Sequence, residues 1–393
     1  VRLACLYPEH LAGGQARVLQ SAATWRALAR EGARVHLVVG RFRGLEERLA
    51  GLGLAGVPGL VPEPVAMCQP GPGSWAPFAW HGVYHAAAAA RLRGLAGQGL
   101  DAVLVRHLKL ARELLRRRPA GRAPVAYEAH ELFAQTAAEE GLAPARLARL
   151  AAREREVLAG AEVVLAISRP LARALGQAAP LSRPPELAPS GADPAFLEVP
   201  QDRREPGLVA YAGGLGPWKG VELLLEAAAR LPGARLEVLG GEPGSPDWRR
   251  VQARAAELGL GPRLALLPRA GQEEVRELLA RAAVAVWPGT GRRRIAAEFT
   301  SPLKLFEYLA AGCPTVAPRV PAATSVVADG RQAALFSPDD PADLARVLGR
   351  LLAAPEEAAA LGAAGRELAR DYTWRARARR ILAALERARG EAA

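Results

Sequence analysis

VRLACLYPEHLAGGQARVLQSAATWRALAREGARVHLVVG (1–40) is the stretch that sets the fold. A short apolar run (1–7) leads through a glycine-bearing turn (11–14) into a helical stretch, Gln15–Arg30, and then a second apolar run (35–40). This is the βαβ rhythm of a parallel sheet, whose two faces helices must cover. After a Pro/Gly-rich interruption at 57–77 the rhythm resumes. It predicts helices at 83–97, 108–118, 144–159 and 170–177, with strands at 101–106, 124–130 and 161–168 between them. Together they make one complete Rossmann-like layer.

Seven prolines fall between 180 and 206, a stretch with little periodicity, and this predicts a domain boundary. The N-terminal domain is expected over 1–190 and a linker over 191–206. A second alternating set begins at 207, with strands at 207–214, 234–241, 263–268, 282–288 and 314–318. Helices at 220–231, 247–258, 272–282 and 302–311 separate them. The fold class is therefore α/β, two Rossmann-like domains in tandem, the second over 207–371. The final segment, 372–393, carries a helix rich in Ala, Leu and Arg that is expected to pack back on the N-terminal domain.

Composition agrees with two globular domains. The chain has 393 residues, half of them hydrophobic and 23% charged, which excludes a disordered chain and a lone small module. Net charge is +12, but 49 of the 52 basic residues are Arg, as GC-rich coding produces, so the charge alone says little about nucleic acid. The surplus is uneven: +9 over 1–190 against +3 over 191–393. Cys5, Cys68 and Cys313 form no CxxC pair, which argues against a disulfide framework or zinc cage and for a reducing compartment. No apolar stretch reaches the ~18–20 residues of a spanning helix. The expected location is the cytoplasm, or the periphery of the membrane's inner face.

Two segments could carry chemistry. In EFTSPLKLFEYLAAGCPTV (298–316), Ser301–Pro302 is a helix-start signature, Ser capping the free N–H groups and Pro fitting the first turn. Such an N-terminus is a ready anion site. Glu307, six residues on, could accept hydrogen bonds from a sugar's vicinal hydroxyls; a capped amphipathic helix with a surface Glu fits equally. In YAGGLGPWKGVELLLEAA (211–228), a Gly-rich turn places Lys219 at a helix mouth, where it could face a diphosphate. The spacing is not that of a Walker loop, since Trp218 precedes the lysine.

Both segments resemble the donor half of retaining nucleotide-sugar glycosyltransferases of family four, which have the GT-B fold. Five further stretches fit that pattern in order: AGGQARVLQSAATWRALAREGARVHLV (12–38), VAYEAHEL (125–132), LAISRPLARALG (165–176), PSGADPAFLE (189–198) and LLPRAGQEEVRELLARAAVAVWP (266–288). The resemblance implies that Gly13 and Gly14 form a loop over the donor phosphates and that His130 contacts the donor sugar. It gives the diphosphate to Gly214, Lys219 and the helix start Ser301–Pro302–Leu303, the ribose to Glu307, and the base edge to the loop around Pro268 and Arg269. His130, Lys219 and Glu298 are then the catalytic candidates. Such enzymes need no metal or other cofactor beyond the nucleoside-diphosphate sugar as co-substrate, and the chain has no Asp-x-Asp pair.

Two departures stand out. Relatives often have Arg where this chain has Gly214; the run Arg292–Arg293–Arg294 either compensates or is solvated surface. Relatives also place an acid eight residues before the ribose Glu, where this chain has Phe299, leaving Glu298 one residue off as the sugar contact.

In the N-terminal domain His81, Tyr84 and His85 could line an acceptor cleft, ordinary surface or packing roles being the alternative. His81 and His85 have metal-ligand spacing but no HExxH glutamate and no third ligand, so no metal is expected. Trp75, Phe78 and Trp80 read as a lid, a bilayer contact or half-buried loop aromatics. Gly51, Gly53 and Gly56 spell GxGxxG outside a strand-to-helix turn, and Ser301 with Lys304 spells SxxK without its companion motifs. The expected partners are a nucleotide-sugar donor and an acceptor, lipid-linked or anionic, bound by the basic half; nucleic acid is not expected. The alternatives are a nucleotide-sugar epimerase on the same fold and a non-catalytic basic binding protein.

Overall fold

The computed structural model describes residues 1–11, 16–68 and 80–390; Gly13, Gly14, Trp75 and Phe78 lie outside these. The chain divides into two compact units, Val1–Pro189 with Trp374–Ala393, and Ser190–Thr373.

The first unit holds seven strands: β1 (Arg2–Tyr7), β2 (Arg34–Gly40), β3 (Leu60–Val65), β4 (Ala102–Val105), β5 (Val125–Ala129), β6 (Val163–Ala166) and β7 (Glu186–Leu187). All pair in parallel, in the order β3-β2-β1-β4-β5-β6-β7. The central residues of β1, β4 and β6 are apolar and buried, as a sheet covered on both faces requires. The final helix, Trp374–Gly390, belongs to this unit. Its stripe Ala378, Ile381, Ala384, Leu385 and Ala388 joins the same core as Leu3, Cys5 and Leu37.

The second unit holds β8 (Glu205–Ala212), β9 (Arg235–Leu239), β10 (Leu264–Leu267), β11 (Ala282–Val286), β12 (Thr315–Pro318) and β13 (Ala334–Phe336), in the order β10-β9-β8-β11-β12-β13, again all parallel. Side chains of β8 alternate between two cores. Leu208, Ala210 and Ala212 enter one, Val209 and Tyr211 the other.

Three strands differ from the sequence expectation. β3 reads LVPEPV and was masked by Pro62 and Pro64; it lies at the sheet edge, bonded only to β2, where proline is tolerated. β7 and β13 have two and three residues, too few to show a period. The expected linker 191–206 is not a free tether. Pro194–Glu198 forms a short 3₁₀ turn whose Phe196 is fully buried in the second unit's core, and Ala192 N–H donates to Tyr372 O at 2.8 Å. β8 already begins at Glu205. Among the described residues no helix is long and apolar enough to cross a membrane.

Candidate active site

In an open parallel sheet the crossover connections leave in opposite directions on either side of one strand pair, and the loops there part to form a crevice at the strands' carboxyl ends. The strand orders put that point between β1 and β4 in the first unit and between β8 and β11 in the second.

In the second unit β8 runs into Gly213 and Gly214. Gly213 has φ 147°, a conformation that needs glycine, and its N–H donates to Leu239 O at 2.8 Å. The Tyr211 hydroxyl donates to Gly214 O at 2.7 Å, closing the turn. A 3₁₀ turn, Pro217–Lys219, and Gly220 (φ 76°) then lead into the helix Val221–Ala229. A side chain at Gly220 would strike Pro288 O, beyond the end of β11, so this glycine lets the loop close across the strand pair. Lys219 is half-buried, and burial lowers the pKa of its ammonium.

The helix Leu303–Ala310 starts beside this turn, and the Tyr308 hydroxyl accepts the Ala212 N–H at 2.9 Å. Ser301 does not cap the helix as expected. Its Oγ accepts the Ser190 N–H at 2.8 Å, satisfying a buried donor of the incoming chain, while Pro302 takes the N-cap position and offers no side-chain cap. The first amides of the helix, at Leu303 and beyond, are therefore left without a side-chain partner at the place an anion would sit.

Lys304, in that first turn, is one of only three lysines in the chain and falls within the donor segment, but sequence reasoning assigned it no site role of its own. Its ammonium lies 5.1 Å from the centre of the Tyr211 ring, and burial together with the nearby Lys219 charge pulls it down to about 8. Glu307, one turn on, is pushed up to about 7 by burial, against the pull of Lys304 and a 3.5 Å hydrogen bond from Gln272.

Arg269 is exposed, its N–H donating to Gly241 O at 2.9 Å, which ties the Pro268–Arg269 loop to the one after β9. Residues Ile295–Phe299 form a π-helical turn that turns Phe299 into the core and leaves Glu298 partly exposed, 3.7 Å from Arg294. Arg292 and Arg293 are exposed, Arg292 standing 3.9 Å from Asp339, whose carboxylate also holds Thr290 and Gly291.

In the first unit a cavity of about 300 Å³ opens where β1 and β4 part, lined by Tyr7, Pro8, Arg106, His107 and His130 among others. Arg17, Lys109 and Arg153 also line it, against the two acids Glu9 and Glu131. His130 follows β5, and its Nε2 lies 2.5 Å from Glu128 Oε1. The Glu128 carboxylate is buried, yet Arg377, His130 and Arg106 hold it far below the usual carboxylate range. Arg377 Nη2 is 2.7 Å away, and Arg377 also donates to Thr24 Oγ1 at 3.1 Å and Pro189 O at 3.3 Å. Burial and the Arg106 charge lower His130 to about 4, so the ring is neutral, with Nε2–H donating to Glu128 and the Nδ1 lone pair left to accept.

Glu128 and Arg377 were overlooked by sequence reasoning, although both leave a trace. Glu128 interrupts an apolar strand two residues before His130, on the same face. Arg377 falls on the buried stripe of its helix, four residues before Ile381.

Tyr84 does not line an acceptor cleft as expected. It is fully buried, its hydroxyl accepting the Tyr7 N–H at 3.1 Å and donating to Val38 O at 2.7 Å, so it joins strand ends and cannot face an acceptor. His81 and His85 remain partly exposed and cluster with His107, ring centres 5.8–6.4 Å apart.

Residues 12–196 match the family model for Glycosyltransferase Family 4, and residues 206–354 the model for Glycosyl transferases group 1. A D-inositol 3-phosphate glycosyltransferase of Mycolicibacterium smegmatis is 32% identical over 198 residues, 49% of this chain and 42% of that protein. An MMP alpha-(1->4)-mannosyltransferase of Mycolicibacterium hassiacum is 34% identical over 208 residues, 51% of this chain and 48% of the other. The matches thus span less than half the length of these curated relatives. Among solved structures, sucrose-phosphate synthase from Thermosynechococcus elongatus superposes with a TM-score of 0.74 at 20% identity, covering 100% of both chains. Anabaena HepE in complex with UDP-glucose gives 0.70 at 16%, covering 98% of this chain and 99% of the other. At such identities the likeness is one of fold. With two family models running in order along two parallel-sheet Rossmann-like units, the chain belongs to glycosyltransferase family 4 and has the GT-B fold.

Proposed function

We propose that the protein transfers a sugar from a nucleoside-diphosphate sugar to an acceptor, with retention of anomeric configuration and without a metal ion. The observation that carries this reading is the β8–β11 crevice, where a glycine turn, Lys219 and an uncapped helix N-terminus converge. Such a site suits a diphosphate, because backbone N–H groups and a compact ammonium stabilise the charge that grows as the glycosidic bond breaks. Glu307, one helical turn further, takes the ribose hydroxyls, and the Pro268–Arg269 loop the base edge. In the complex of HepE the ligand is UDP-glucose, which fits the same class of donor.

His130 contacts the donor sugar through Nδ1, which accepts a hydrogen bond from a sugar hydroxyl; its neutral state and fixed tautomer suit that task. Glu298 is the second sugar contact. The acceptor hydroxyl attacks C1 on the face the diphosphate leaves, its proton passing to a departing phosphate oxygen, so one C–O bond forms as the other breaks. The acceptor carries an anionic group held by the cations of the first-unit cavity, Arg17, Arg106, Lys109 and Arg153. The relative named for D-inositol 3-phosphate suits an acceptor of that chemistry. We place the reaction in the cytoplasm, at most peripheral to the membrane.

Thermal melting of the full chain with UDP, GDP, ADP and dTDP tests the donor class. One of them is expected to raise the melting temperature, and the matching nucleotide sugar to be consumed only when an acceptor is added, with EDTA present. Stabilisation by none of the four contradicts the reading, and conversion of the sugar without acceptor would instead mark an epimerase.

A further inference from the structure

We propose that Lys304 is a second cation of the diphosphate site, sharing the two phosphates with Lys219 across the Gly213–Gly214 turn. This deepens the donor reading above and rests on it. Lys304 reaches back from the first turn of the helix Leu303–Ala310 and lies directly against Gly213: a methyl group built there would collide with Lys304 Nζ and Cε. Tyr211 supports the ammonium from below with its ring, and the Tyr211 hydroxyl fixes Gly214.

Among the described residues neither Lys219 nor Lys304 has an ion-pair or hydrogen-bond partner for its ammonium. Two half-buried ammonium groups held near each other are costly, since each is partly desolvated and repels the other. Glu307 relieves this only in part: its charge favours the Lys304 ammonium without forming an ion pair with it, and burial pushes its own carboxyl up to about 7. The arrangement becomes favourable when a ligand with at least two negative charges arrives, which a diphosphate supplies and a monoanion does not. Arg292 and Arg293 line a pocket on the Pro217, Trp218 and Gly220 part of this turn, with Arg292 3.9 Å from Asp339, which also holds Gly291.

The geometry supplies its own control. Gly214 is exposed, its φ is not positive, and a Cβ there meets nothing within 4 Å. An arginine at 214 can therefore deliver a cation to the same turn from outside. Calorimetric titration of the full chain compares whichever of UDP, GDP, ADP or dTDP binds best with the corresponding unphosphorylated nucleoside. Lys304→Met, which keeps the apolar stem over Gly213, is expected to weaken the diphosphate by roughly 30-fold or more while changing the nucleoside less than about threefold. Adding Gly214→Arg to that variant is expected to recover roughly tenfold. Equal weakening of both ligands, or diphosphate binding within threefold of wild type, overturns the proposal. Should Lys304→Met not fold, Lys304→Gln is read the same way, and failure of both to fold shows a structural cation and overturns it too. If Lys219→Ala alone loses the diphosphate, the donor reading stands without Lys304; if the wild-type protein binds no diphosphate, the donor reading itself fails.

Discussion

The two units place their crevices at equivalent points of equivalent sheets, yet fill them with opposite chemistry. Where β1 and β4 part, the charges are paired and internal: Arg377 and His130 close on the Glu128 carboxylate, and the histidine is left neutral. Where β8 and β11 part, backbone amides, Lys219 and Lys304 meet with no ion pair to either ammonium among the described residues, and Glu307 faces Lys304. Topology chooses where a ligand can sit, and the side chains choose what it can be. The first crevice presents a neutral histidine beside a basic cavity, and the second a glycine turn with two half-buried ammonium groups.

The difference can be broken at the first unit by removing Arg377. Arg377→Ala leaves a buried carboxylate without its main partner and is expected to cost about 3–5 kcal/mol, read as a lower denaturation midpoint. A midpoint unchanged from wild type would show that the network is not structural. At the second unit Lys219→Ala should do the reverse, lowering turnover by roughly 10²–10³ while leaving the denaturation midpoint in place, as loss of one donor to a developing oxyanion does. Wild-type turnover in that variant would remove the lysine from the site.

A smaller effect sharpens the first side of the contrast. His130 is lowered from 6.5 to about 4, so the unfolded chain binds the proton more readily than the fold does. Its contribution to stability is complete above pH 6.5 and is lost as pH falls toward 4, on the order of 3 kcal/mol. Denaturation midpoints measured across that window should fall in wild type and fall less in His130→Gln; parallel profiles would contradict the neutral histidine. The smallest effect concerns the second side. Glu307 at about 7 and Lys304 at about 8 face one another's charge and that of Lys219, and titrate together. Diphosphate affinity should peak between pH 7 and 8, falling below as Glu307 is protonated and above as Lys304 loses its proton. Glu307→Gln should flatten the acid side, a change of about tenfold. An unchanged acid limb would take the carboxylate out of nucleotide binding.

Much of the fold was legible because both sheets are buried on both faces, which makes their strands continuous apolar runs such as VHLVV and AAVAV. Edge strands were not, since Pro62 and Pro64 are forbidden only where both sides are bonded. At the candidate site, residues tied to a glycine turn or helix start, such as Lys219 and Glu307, stood out through their local context. Glu128, Arg377 and Lys304 did not, because what matters about each is a neighbour distant in sequence: Glu128 needs Arg377, and Lys304 needs Gly213. Tyr84 erred in the other direction. Lying between two histidines it suggested a cleft, whereas its hydroxyl serves two backbone groups of β1 and β2. Ser301 likewise carried a sound capping pattern that was spent on Ser190 instead.

The donor diphosphate is proposed to bind in the β8–β11 crevice of the second unit. A crystal structure of the full chain with the nucleoside diphosphate that raises its melting temperature tests this placement most directly. Phosphate oxygens are expected within hydrogen-bond reach, about 3 Å, of both Lys219 Nζ and the Leu303 N–H. A diphosphate seated instead in the first-unit cavity against Arg106 and Arg153, with the lysine turn empty, would contradict the account.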